Sequence, residues 1–134
     1  MIAVDSSVAI AGFASWHEQH ATARKVLARS PRLVAHAALE TYSVLTRLPA
    51  PHRAQADMVG AFLTARFPDQ LLCLPDHQYR ELIALLAERQ ILGGRIYDAL
   101  IGMTAVAHGA TLVSLDHRAA LMYEAVGVSV ELPG

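Results

Sequence analysis

The pattern of this chain predicts an α/β fold, a three-layer sandwich with a mostly parallel sheet of four to five short strands flanked by helices. Three observations point there. Apolar runs of four or five residues alternate with helical stretches of ten or more, the rhythm of strands that return through helical crossovers. The first apolar run, Met1-Ile-Ala-Val, reads as a buried strand that delivers Asp5 at its carboxyl end, with Ser6 and Ser7 ready to cap a helix. Finally, the 134 residues carry no internal repeat, low-complexity segment or linker, so they are read as a single domain, 1–134.

Taken in order, residues 1–4 form the first strand and 7–14 a short helix. Residues 17–28 form a second helix, with Ala21, Val26 and Leu27 turned to the core and Arg24, Lys25 and Arg29 outward, stopped by Ser30-Pro31. A strand over 32–35 leads into a helix over 36–48, ended by Pro49-Ala50-Pro51. The next helix, 52–66, closes at Phe67-Pro68-Asp69, and 71–74 is a third strand with Cys73 among its buried residues. Pro75-Asp76 opens a helix over 77–89, and Gly93-Gly94-Arg95 is a break before the strongly apolar helix 97–108, which has Gly109 as its C′ residue. Residues 111–115 are the fourth strand and lead to Asp116; a last helix, 117–126, ends at Gly127 before an edge strand over 128–131.

Composition narrows the function classes. Hydrophobic residues make up 54% of the chain and charged residues only 17%, against about 25% in an average soluble domain. So little charge on a small chain suggests apolar surface covered by partners, a second copy or a bound peptide. No apolar run approaches the roughly 20 residues that span a bilayer. Asp5 interrupts the first apolar stretch and no basic lead precedes it, unlike a signal peptide. The single cysteine can form no internal disulfide. A cytoplasmic protein is expected. Net charge is −1, yet ten of the eleven basic residues are Arg, the better side chain for bidentate phosphate contact. If four acids serve one metal site, eleven basic residues outnumber the eight remaining acids, which permits a nucleic-acid partner.

Four acids interrupt otherwise apolar patterns: Asp5 at the end of the first strand, Glu40 one turn into the helix after the second, Asp98 at the start of the most apolar helix, and Asp116 at the end of the fourth strand. Strand ends and the starts of the following helices lie on one edge of a parallel sheet, so all four carboxylates can meet in one crevice. Singly, each has a plain structural role: Asp98 and Asp116 as helix caps or first-turn acids, Glu40 as a partner for His36 four residues back. Together they repel, by about 4 kcal/mol for a pair at 4 Å and an effective dielectric near 20. Such a cluster needs cations, and carboxylate oxygens without Cys or His suit Mg²⁺ or Mn²⁺. An ion of that kind neutralises a phosphodiester and acidifies water for attack on it. Other arrangements fit less well. His17-Glu18-Gln19-His20 lacks the i, i+4 histidine pair of a zinc site. An aspartyl-phosphate enzyme would want an acid where Ser7 stands, and a phospho-receiver would want a late Lys where the only one is Lys25.

Asp5-Ser6-Ser7-Val8, the isolated Glu40, Tyr97-Asp98-Ala99-Leu100-Ile101 and Leu112-Val113-Ser114-Leu115-Asp116 together resemble the motifs of PIN domains, most closely the VapC toxins of bacterial toxin–antitoxin pairs. The stretch from His36 through Glu40 to Pro49 is especially similar, and the resemblance covers nearly the whole chain. It implies a Mg²⁺- or Mn²⁺-dependent endoribonuclease toxin, neutralised by a cognate VapB-type antitoxin. Asp5, Glu40, Asp98 and Asp116 match the acidic quartet of the family, Ser7 and Ser114 its hydroxyl positions, and Arg95 and Arg118 flank two of the acids as contacts for RNA phosphate. On this reading Asp5, Asp98 and Asp116 hold the ion directly, and Glu40 acts through water or completes a weaker second site. Some members carry a further acid after the fourth one. His117 and Arg118 stand there in this chain, which weakens the case for a second tightly held ion. The alternatives are a catalytically silent interaction module and another metal-dependent phosphoryl hydrolase; which RNA would be cut is not legible.

Overall fold

The computed structural model describes residues 1–134. Four strands, β1 (Ile2–Val4), β2 (Arg32–Leu33), β3 (Thr111–Val113) and β4 (Val130–Glu131), form one sheet in the order β2-β1-β3-β4 with every pair parallel. In the register, Val4 stands beside Leu33 on one side and Val113 on the other. The two central strands therefore end level, and the residues after each of them emerge on the same edge. Seven helices flank the sheet: α1 (Ser6–Phe13), α2 (His20–Leu27), α3 (Ala35–Arg47), α4 (Ala56–Arg66), α5 (Gln78–Glu88), α6 (Arg95–Ala107) and α7 (His117–Ala125). None is long and apolar enough to cross a membrane.

The main core gathers Val4, Leu33, Ile101, Leu112, Val113 and Tyr123 with alanines from β1, α1, α2 and α6. A smaller cluster of Leu74, Leu82, Ile91, Ala99 and Met122 fills the space among α5, α6 and α7. Small residues set how near the helices come. A Cβ on Gly102 of α6 would stand 2.7 Å from Val126 Cγ2, so the absence of a side chain there lets α7 lie against α6.

Several expectations need correction. Residues 71–74 are not a strand: only Leu72 pairs, by a bridge to Val34, with Ala35 N–H donating to Leu72 O at 2.8 Å and Leu72 N–H to Leu33 O at 2.9 Å. The ladder stops because the neighbouring chain turns into α3 at Ala35 and because Pro75 has no N–H to offer. The segment still alternates, with Leu72 and Leu74 inward, so Cys73 points outward and is exposed, not buried. Two helices begin later than their patterns suggest. Residues 17–19 make a turn in which Gln19 N–H donates to His17 Nδ1 at 3.0 Å, and α2 starts at His20. There Ala23, Val26 and Leu27 face the core, while Ala21 is exposed. Residues 52–55 stay in a turn tied down by Ala54 N–H to Leu45 O at 2.9 Å, which leaves α4 to start at Ala56.

Candidate functional site

Asp5 is the buried anchor of the sheet edge, only 2% exposed. It caps α1, its Oδ1 accepting from Ser7 N–H at 3.0 Å, Ser7 Oγ at 2.5 Å and Val8 N–H at 3.4 Å. Its Oδ2 accepts from Ser114 Oγ at 2.6 Å and Tyr123 OH at 2.8 Å. The two serines tie the ends of β1 and β3 together, Ser114 through Asp5 and Ser7 by accepting from Leu115 N–H at 2.8 Å, while Asp116 N–H donates to Ser114 Oγ at 3.0 Å within the turn after β3. Burial pushes the Asp5 carboxyl up from its ordinary range, against the pull of these hydrogen bonds. Tyr123, 1% exposed, is held neutral by its own burial and by the Asp5 charge beside it.

Asp116 follows β3 and caps α7, its Oδ1 accepting from Arg118 N–H at 2.9 Å and Ala119 N–H at 3.1 Å. Asp98 sits in the first turn of α6 and is no cap, since that position belongs to Gly94. Its carboxyl is raised to about 6, first by partial burial and then by the charges of Glu40, Asp116 and Asp5; only Arg95 acts the other way. Glu40 projects from α3, and no ion pair joins it to His36. The His36 ring instead lies parallel to Tyr97, at 4.8 Å between centroids and 6° between planes.

The structure thus brings all four acids into one electrostatic neighbourhood. Asp98 and Asp116, with Arg95 and Arg118, line a cleft of about 540 Å³ together with the apolar Ala119, Leu121, Met122 and Ala125 of α7. Neither Asp5 nor Glu40, the latter on α3, is part of that lining. Arg95 and Arg118 border the acids without pairing to them, the one ion pair of the chain being Arg29–Glu131 at 2.6 Å. Tyr123 escaped the sequence reading because an aromatic in an apolar helix has the signature of an ordinary core residue; its hydroxyl was the one available signal, since a buried tyrosine needs an acceptor.

Whether the set suits a divalent cation rests on two facts. No three of these side chains stand close enough together to grip an ion as they are placed. In chemistry and charge, however, the set fits: hard oxygen donors, one carboxyl pushed up by burial and by its like-charged neighbours, and no protein cation paired to any of them. The electrostatic fact weighs more, because a carboxylate that is not buried can shift by side-chain rotation, whereas the backbone fixes which acids share the neighbourhood.

The family model of the PIN domain matches residues 2–125, and the chain belongs to that family. Ribonuclease VapC40 of Mycobacterium tuberculosis (strain ATCC 25618 / H37Rv) is 52% identical over 132 residues, 98% of each chain. Ribonuclease VapC27 of the same strain is 42% identical over 130 residues, 96% of this chain and 94% of the relative. Within the family this is a PIN domain of the VapC type.

Proposed function

We propose that the chain is an endoribonuclease toxin dependent on Mg²⁺ or Mn²⁺, acting as one PIN-like domain. The observation that carries the reading is Asp98, raised to about 6 by partial burial and then by the charges of three other acids gathered around it, with no cation paired to it. The names of its relatives supply the substrate class. Asp98, Asp116 and Glu40 would hold the ion, which supplies charge to neutralise the scissile phosphate and an acidified water for attack. Asp5 has about four lone-pair sites and five donors on them, so it would ligate directly only by releasing one. Its first contribution is negative charge beneath the site and the alignment of β1 with β3. Arg95 and Arg118 line the same cleft and would hold the phosphates on either side of the cut. Hydrolysis in line leaves a 5′-phosphate and a 3′-hydroxyl.

The large apolar side chains left exposed, among them Leu39, Ile83, Leu92 and Leu121, support the expected partners, a VapB-type antitoxin and a second copy of the chain in the cytoplasm. The test is incubation of purified total RNA with the antitoxin-free protein and Mn²⁺, with EDTA, and with Asp98→Asn. Discrete cuts that need both Mn²⁺ and Asp98 are expected. A folded protein that neither binds Mn²⁺ nor cuts RNA would move the reading to a silent interaction module.

A further inference from the structure

Of the ring pairs in this protein, His36–Tyr97 is the only near-parallel one, at 6° between planes. The Phe13–Phe62 and Phe62–Phe67 pairs of the interior pack edge to face at 81° and 84°, the geometry of a core. Tyr97 is not interior: 45% of it is exposed although one face lies on the imidazole. It immediately precedes Asp98 on α6, and His36 lies one turn before Glu40 on the same face of α3. The stacked pair therefore flanks the acids on the α3 side, while Arg95 and Arg118 flank them in the cleft.

We infer that Tyr97, backed by His36, is a stacking platform for the nucleobase next to the scissile phosphate. The inference rests on the ribonuclease reading above and adds a base-binding subsite to it. A flat ring already fixed parallel to a second ring receives a base as a third layer with little further ordering. RNA sites of this kind stack unpaired bases on exposed aromatics, and this ring lies on His36, one turn from Glu40, and next to Asp98 in the chain. Trp16 and His52, 4.1 Å between centroids but tilted by 31°, lie beyond the C-terminal ends of α1 and α3, away from the sheet edge that carries the acids. The subsite takes an unpaired base, with a preference set by stacking strength and not by base-edge hydrogen bonds.

The test uses a short single-stranded oligoadenylate bearing 2-aminopurine, bound in the Asp98→Asn background so that nothing is cut. Tyr97→Leu should weaken binding by roughly 5- to 150-fold, the range of one base–aromatic stack, and abolish the quenching of 2-aminopurine. Tyr97→Trp should retain both, and Tyr79→Leu, at an exposed tyrosine on α5, should change neither. Circular dichroism melting establishes that each variant is folded. Equal affinity and equal quenching for Tyr97→Leu overturn the platform, as does an equal loss with Tyr79→Leu. Intact RNA binding with altered self-association in sedimentation also overturns it, and assigns the ring to a protein contact. If the unmutated protein neither binds Mn²⁺ nor cuts RNA while the dependence on Tyr97 persists, the ribonuclease reading falls and the ring remains a base-binding site without a scissile phosphate.

Discussion

Replacing Asp98 by Asn should make the metal-free protein more stable, and the gain should depend on pH in a set way. The carboxyl titrates near 6 in the folded chain against an ordinary 3.8, a rise worth about 3 kcal/mol at 1.36 kcal/mol per unit. Asp98 is only half-buried, so solvent screening cuts this to about 1–1.5 kcal/mol. The folded state binds the proton more tightly than the unfolded one, so folding stability falls as pH rises from about 4 to about 6 and the penalty is complete above that. Asn carries no charge and escapes it. Differential scanning fluorimetry in EDTA should therefore show the variant melting about 3–7 °C higher near pH 7.5, with the gap closing near pH 4. The raised Asp5 carboxyl is present in both proteins and cancels in the comparison. Mn²⁺ should reverse the order, because ligand at 100 times its dissociation constant adds about 2.7 kcal/mol, more than the penalty, and only the unmutated site takes it up. The electrostatic account is refuted if Asp98→Asn melts lower than the parent in EDTA at neutral pH, or if the gap survives unchanged in acid.

Tyr123→Phe removes a buried hydrogen bond to a charged oxygen and should lose about 1.5–3 kcal/mol of stability in guanidinium unfolding; an unchanged midpoint would mean that Asp5 does not need the fifth donor. Gly102→Ala places a methyl against Val126 and should destabilise by about 1–3 kcal/mol, with activity falling in parallel because α7 carries both Tyr123 and the Asp116 cap; full stability would show that α6 and α7 part easily. Arg95→Gln and Arg118→Gln should each weaken RNA binding regardless of sequence and lower the salt slope of affinity by about 1, read from titrations at several ionic strengths. A slope equal to that of the parent would remove that arginine from the phosphate path.

The sheet edge was legible because it follows from chain direction alone. Once β1 and β3 run parallel, Asp5 and Asp116 must leave the sheet together, and the apolar runs before them mark both strands. Asp98 and Glu40 were legible as acids where the helical pattern called for apolar residues. The hidden part lies in the third dimension. Residues 71–74 have the composition of a strand, yet pairing needs a neighbour, and Ala35 has already entered α3. His36 and Glu40 have the spacing of a helical pair, but the imidazole found Tyr97 on a helix some sixty positions along the chain. The clamp of Tyr123 on Asp5 spans a sequence separation of 118 residues, and no local pattern announces a partner that far away.

That separation also sets a time of assembly. During synthesis the first strand leaves the ribosome early, whereas the segment that carries Ser114 and Tyr123 follows 109 and 118 residues after Asp5. Until that segment emerges, Asp5 has only its own cap, with neither of the hydroxyls that complete its Oδ2 side. A nascent chain therefore carries an unfinished sheet edge until β3 and α7 have been made, and only then can Asp5 and Asp116 come into register.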